Sequence, residues 1–446
     1  MSSGVRQRHG PILILLGPAA LLAGLVVLGY YTTQSAVQCI YFGYGLAFVG
    51  YAGILWQAPK NWPLRFWLGL AVVARLLLIF AFPTLSDDVY RFVWDGRLWL
   101  AGHNPFDHLP SWYAERGFPL DGLDRALYAK LNSSEYFTIY PPLAQAVFVL
   151  ATYLAPNSVA GAAIVMKLCL VAADLGSIWL IIELLRRWKL PEDRVLLYAL
   201  NPLIIVELTG NLHFEAFMVF FLLLGFWLLL RAQTDWAAGA FALSITSKLL
   251  PVMFMPFLIR RLGWGKSIRF FAVLGGILIV LWLPLVNSDF FTNFGESLQL
   301  YFRRFEFNAS VYYLLREVGY QLEGHNLIKW IGPRLAVLVL LAIVLRTVGE
   351  RNPSWRTLPV QCLFAIAVYL LFATTVHPWY ATLPLLLCLF TPWRWPVLWT
   401  ALIPLTYINY SYPEYYENLT VVTVEYVVVI SYGLWELLVG RKDLTE

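Results

Sequence analysis

Apolar stretches, most of them near the ~20 residues that a helix needs to cross ~30 Å of hydrocarbon, recur from Pro11 almost to the C-terminus. They fall near 11–31, 36–57, 62–83, 141–156, 160–185, 194–209, 214–231, 236–259, 268–286, 327–345, 357–376, 378–392, 395–410 and 419–439. No water reaches a backbone inside hydrocarbon, so each segment must satisfy its own N–H and C=O groups, and runs of this length must be helical. The composition agrees: 60% of the 446 residues are hydrophobic and only 13% are charged, against ~25% in soluble domains. The expected fold is an all-α polytopic bundle spanning residues 1–446 as one domain, with about 11–13 crossings. The net charge of +5 follows from basic residues at span ends and requires no nucleic-acid partner.

Two mixed segments, 86–140 and 287–325, interrupt the runs. The first run follows Arg6 and Arg8; it is longer than a signal-peptide core and has no clear cleavage site, so it is expected to be a retained span. Cys39, Cys169, Cys362 and Cys388 all sit in apolar runs without metal-ligand spacing, which predicts neither a disulfide nor a zinc site. Basic clusters at Arg6/Arg8, Lys60/Arg65, Arg186–Arg194, Arg260–Arg269, Arg346–Arg356 and Arg441/Lys442 are expected on the cytoplasmic side. Strict alternation of spans then fails. It is restored if 141–156, which opens with Pro141-Pro142, is a half-span and the run 236–259 breaks at Lys248 and Pro251, as is tolerated around a cavity.

With that arrangement, four polar clusters gather on one face. The first is Ser86–Asp95, SDDVYRFVWD. If it is helical, Arg91 stands one turn from both Asp87 and Asp95, with Asp88 also in reach. Adjacent carboxylates raise one another's pKa, which suits a general base or cation binding at Asp87 and Asp88. A solvated interfacial helix is the plainer alternative, and it fits Trp94, Arg97 and Trp99 better. The second cluster places His213 and Glu215 at the mouth of a span, where ionisable groups are costly; a satisfied interfacial histidine is the alternative. H-x-E alone is too short to mark a metal site. The third is the loop 287–310 with Arg303, Arg304, Glu306 and Asn308, two arginines that run against the positive-inside bias and suggest an anion, unless a loop salt bridge satisfies them. The fourth is His377-Pro378-Trp379-Tyr380, in which the histidine is a candidate for a phosphate or sugar hydroxyl and the aromatics for interfacial anchoring.

Lys248, inside an apolar run, carries an insertion cost of ~2.5–3.5 kcal/mol at a helix centre and needs an anion, a lipid phosphate being the functional candidate and snorkelling to the interface the alternative. Residues 103–140 read as loop with a short amphipathic helix in DGLDRALYAKL, ending at Tyr140-Pro141-Pro142, and roof or flank the site.

In order along the chain, SDDVYRFVWDGRLWLAGHNPF, TIYPPLAQ, ALNPLIIVELTGNLHFEAF, SKLLPVMFMPFLIRR, NASVYYLLR and HPWYATLPLL resemble the polytopic GT-C glycosyltransferases. The nearest branch is the bacterial and archaeal mannosyltransferase-like proteins related to the GPI-anchor mannosyltransferases. The resemblance runs from about Trp62 to Leu387 and rests on the order of the motifs. It implies a polyprenyl-phosphate sugar donor, a glycan or lipid-linked acceptor, inversion at the anomeric carbon, and a site on the non-cytoplasmic face of a bacterial or archaeal plasma membrane. The general base then falls on Asp87 or Asp88, with Asp87 first. Lys248, His377, Arg303 and Arg304 would hold the donor phosphate, and His213, Glu215, Arg91, Asn308 and Tyr140 the sugar or acceptor. No metal and no cofactor are expected, because the SDD spacing departs from metal-binding DxD and enzymes of this class mostly work without metal; a divalent cation is left open. A transporter or flippase of a lipid-linked saccharide is the competing reading; a visible internal repeat would favour it, and none is present. Asn132, Asn308 and Asn418 open N-x-S/T triplets.

Overall fold

The computed structural model describes residues 11–439 except Arg304, Pro413 and Tyr415. Arg6, Arg8, Arg304, Arg441 and Lys442 lie outside the described residues, as does the side chain of Lys60. The described residues form helices joined by turns and no β-strand, apart from an isolated bridge between Phe307 and Thr375.

Among the described residues, five helices are long and apolar enough to cross a membrane: Val37–Gln57, Val159–Arg187, Trp264–Leu285, Ile328–Gly349 and Leu419–Val439. A sixth crossing arises if Pro202–Gly210 and Glu215–Leu230, bent by 112°, are one broken span. This is fewer unbroken spans than the apolar runs suggested, because proline and polar residues divide several runs into shorter helices. Pro142–Leu154 has 13 residues and covers about 20 Å, short of a full crossing of ~30 Å. The run 236–259 breaks where expected: Thr234–Ser247 ends at Lys248, whose backbone is extended, and a short turn at Leu250–Phe254 leads into Met255–Leu262.

Close helix contacts come from small residues. Pro11–Tyr30 packs on Val37–Asn61, and a β-carbon on Gly24 would come within 2.5 Å of the Gly43 carbonyl oxygen. Gly96, in the Asp88–Leu100 helix, likewise lies so close to Pro142–Leu154 that a β-carbon would reach 2.5 Å from the Phe148 carbonyl oxygen. Such approaches are how helices pack tightly where lipid removes the hydrophobic drive.

Buried charges fix the frame. Arg75 Nε pairs with Asp174 Oδ2 at 2.6 Å, both fully buried, while Tyr198 donates to Asp174 Oδ1 at 2.7 Å. Lys167 Nζ donates to the carbonyls of Leu78 (2.9 Å) and Ala81 (2.5 Å), just beyond the end of the Leu64–Leu77 helix.

The basic clusters meet at one end of the bundle. Arg187 donates to Leu230 O, Arg269 pairs with Asp235, Arg261 pairs with Glu350 at 2.6 Å, and Arg194 reaches the carbonyls of Leu389 and Thr391. From this end Thr234–Ser247 and Leu358–Phe372 run away, and Glu215–Leu230 returns to it. At ~1.5 Å per residue, Lys248, Thr374–His377 and Glu215 therefore emerge together, some 20 Å from the basic clusters. In the first external segment, the helix expected in DGLDRALYAKL is only Arg125–Tyr128, started by Asp124 accepting from Leu127 N. The 287–310 stretch, read as loop, is largely the helix Phe290–Arg303. The two segments cover each other: Asn287 donates to Asp107 (2.6 Å), Asn293 to Phe106 O (2.8 Å) and Ser297 to Phe137 O (3.1 Å).

Candidate active site

Asp87 stands immediately before the Asp88–Leu100 helix, and its side chain does not cap it. Its carboxylate is exposed and has no hydrogen-bond or ion partner among the described residues. Burial of part of the group and the charge of Asp88 raise its pKa above the ordinary 3.8, and Lys130 pulls it back. Asp88 is engaged: Asn132 Nδ2 donates to its Oδ1 at 3.2 Å. The expected ring of acids about Arg91 does not form. Arg91 is buried, pairs with Asp95 alone (2.8 Å), and donates to the carbonyls of Ser133 (3.1 Å) and Tyr136 (2.8 Å). Asp95 accepts from Gln145 (3.0 Å), which itself accepts from Trp99. Arg91 thus ties the helix to the loop that returns at 131–140. Tyr140 packs edge-on to Phe92 (4.8 Å) and Phe148 (5.5 Å), and Phe92 in turn meets Phe214 (5.5 Å), so one aromatic block seats both the acid helix and the His213–Glu215 turn.

That turn is a strained break. Ile205–Gly210 widens into a π-type turn, and Leu212 takes φ +64°, a left-handed conformation that a branched side chain rarely adopts outside functional sites. Within it Glu207, fully buried and absent from the sequence expectations, accepts from Tyr44 (2.9 Å), Tyr407 (2.8 Å) and Asn211 (3.1 Å). His213 Nε2 approaches Glu207 Oε2 to 3.2 Å but makes no hydrogen bond among the described residues. The imidazole stacks on Trp379 at 3.7 Å, and the other face of Trp379 carries His377 at 4.5 Å. His377 Nδ1 is buried without a hydrogen-bond partner among the described residues. Trp379, read as an interfacial anchor, is instead the spacer between two histidines.

Lys248 pairs with Glu215, which is 2% exposed, and lies 4.7 Å from the centre of the Tyr380 ring. Glu215 thus supplies an anion that offsets the partly buried charge of Lys248. The second external segment is stitched onto the same place: Phe307 N donates to Thr374 O (3.1 Å), Val376 N to Phe307 O (2.8 Å), and the Phe307 ring lies 4.7 Å from His377. Asn308 is fully buried, donates to Glu425 Oε1 (3.1 Å), and accepts through its backbone from Tyr426 (2.7 Å), which makes it a pin to the Leu419–Val439 helix. Glu306 is held by Tyr312, Arg316 and Asn326. Arg303 is exposed at the end of Phe290–Arg303.

Tyr410 joins the acid and histidine groups. Its ring is 5.5 Å from Phe307, and it lies within electrostatic range of Asp87, Asp88 and Glu207. Asp87, Asp88, Lys248, His377, His213 and Glu215 are thus brought to one region; Arg91 and Asn308 face into packed polar networks beside it. Glu207 and Tyr410 were missed, although an acid within the apolar run 194–209 was a signal of the same kind as Lys248. Among the described residues, no group of three or more His, Cys, Asp or Glu could hold a metal ion.

No curated protein matches the chain. Residues 15–263 match the family model described as alpha-(1->6)-mannopyranosyltransferase, N-terminal domain, a span that holds the acid pair, the Glu207–Glu215 turn and Lys248. Covering more than half of the sequence, that match means the chain belongs to the MptA_B family of GT-C-type mannosyltransferases and is an integral membrane protein.

Proposed function

We propose that this mannosyltransferase takes mannose from a polyprenyl phosphate and transfers it to a hydroxyl of a glycan or lipid-linked acceptor on the non-cytoplasmic face, with inversion and with Asp87 as general base. The observation that carries the reading is the carboxylate of Asp87, exposed and without a hydrogen-bond or ion partner among the described residues, in the region that also gathers Lys248 and His377. Asp87 accepts the acceptor's hydroxyl proton, the oxygen attacks the anomeric carbon, and the bond from that carbon to the phosphate oxygen breaks. The phosphate leaves with the bonding pair, so cationic or N–H groups are needed where its charge develops. Lys248, over a quarter exposed, and His377 serve there, with Arg303 on the adjoining helix. His213 orients the sugar. The sidedness rests on the basic clusters at the opposite end of the bundle, which belong in the cytoplasm.

The family's description names an α-(1→6) linkage. An inverting enzyme forming it needs a β-configured donor and a primary hydroxyl as acceptor. The test is transfer by purified protein in lipid nanodiscs from β-mannosyl polyprenyl phosphate, α-mannosyl polyprenyl phosphate or nucleotide-activated mannose, with the product's anomeric configuration read by NMR. An α-linked product from the β-lipid donor alone is expected. Transfer from the nucleotide donor, or from the α-lipid donor, would overturn the reading.

A further inference from the structure

Two adjacent carboxylates are chemically equivalent until their surroundings separate them, and here the separation comes from the loop that returns over the helix. Asp95, anchored by Gln145, holds Arg91; Arg91 holds the Ser133 and Tyr136 carbonyls. This buried relay fixes the backbone next to Asn132, whose amide then donates to Asp88. Lys130, two residues earlier and exposed, is in electrostatic contact with Asp87.

We propose that Asn132 and Lys130, on the returning loop, are positioning residues that divide the acid pair, Asn132 engaging Asp88 through its amide and Lys130 placing a cation beside Asp87, which is left open to take the acceptor's proton. The proposal rests on the reading of Asp87 as the base. The groups facing Asp87 are Asp88 and Tyr90 on its own helix, Lys130 on the loop, and Tyr410 from Ile403–Tyr410. Of these, Lys130 alone is a cation. The amide donor fixes the Asp88 carboxylate in place, and burial together with the neighbouring charge of Asp88 makes Asp87 a stronger base than an isolated aspartate. Lys130 opposes this rise and offsets part of it.

The readout is the acid limb of kcat/KM, which follows the base in the free enzyme. Lys130→Gln removes the cation that pulls the Asp87 pKa down and is expected to move that limb upward. Lys130→Arg is expected to leave it in place. Asn132→Asp replaces the donor with a third carboxylate and is expected to move the limb upward by at least as much and to lower kcat about tenfold, with KM nearly unchanged. Both side chains are exposed, and unchanged melting shows that the variants fold. Acid limbs for Lys130→Gln and Asn132→Asp that superimpose on the wild-type limb, while Asp87→Asn abolishes transfer, would overturn this proposal and leave the base assignment standing. Full transfer by Asp87→Asn would remove both.

Discussion

Lys248 and Glu215 form an ion pair whose halves differ in burial, so their removal is unequal in cost. The Glu215 side chain is 2% exposed and that of Lys248 28%. Lys248→Met strands a buried carboxylate, which costs about 3–5 kcal/mol. Glu215→Gln leaves an ammonium that rests on the Tyr380 ring and can extend toward water, so the same penalty shrinks to about 1–2 kcal/mol after discounting for exposure. Removing both charges should recover most of the loss. At ~2–4 °C per kcal/mol, the scale for domains smaller than this, Lys248→Met should lower the melting midpoint by roughly 10 °C, Glu215→Gln by a few degrees, and the double variant by little. Tryptophan fluorescence during thermal unfolding in detergent measures all three. Equal losses, or a larger loss for Glu215→Gln, would refute the argument from burial. Transfer assayed on the same samples separates structure from chemistry. If Lys248 also receives the leaving phosphate, the double variant regains stability but not activity; recovery of both would confine Lys248 to a structural role.

Asp174→Ala should be the more damaging frame mutation, since it strands fully buried Arg75 and removes the acceptor of the Tyr198 hydroxyl; a loss of about 3–5 kcal/mol should appear as poor recovery of folded protein by size-exclusion chromatography. His377→Phe keeps a ring against Trp379 but removes the unpartnered nitrogen, so kcat should fall about 100-fold if that nitrogen stabilises the leaving phosphate, with melting unchanged. Asp87 gives a stability prediction of opposite sign to the usual aspartate. Its pKa is raised on folding, so the folded state binds the proton more tightly and stability falls as pH rises through the interval between the unfolded and folded values. Asp87→Asn should therefore melt no lower than wild type at neutral pH, and should lose that pH dependence.

Much of the class and part of the site can be read from residues alone. The apolar runs dictate helices, the Lys248–Pro251 interruption marks a break, and the motif order carries the family. What the sequence hides are partners. Arg75 and Asp174 are 99 positions apart, and Glu207 meets Tyr44 and Tyr407 from distant helices. An ionisable residue in an apolar run signals that a partner exists without saying which. The Asp87–Arg91 and Arg91–Asp95 spacings were equally good on paper; the choice between them is made by Gln145 and the returning loop. Trp379 looked like one more interfacial aromatic because stacking between His213 and His377 depends on a 112° bend that spacing cannot encode.

The account turns on which carboxylate takes the proton. Asp87→Asn and Asp88→Asn, each confirmed as folded by melting, should be assayed with β-mannosyl polyprenyl phosphate and an acceptor bearing a primary hydroxyl. The expected result is that Asp87→Asn loses transfer by at least 1,000-fold, about 4 kcal/mol of barrier, while Asp88→Asn retains measurable turnover with a shifted pH profile. Wild-type transfer by Asp87→Asn would contradict it.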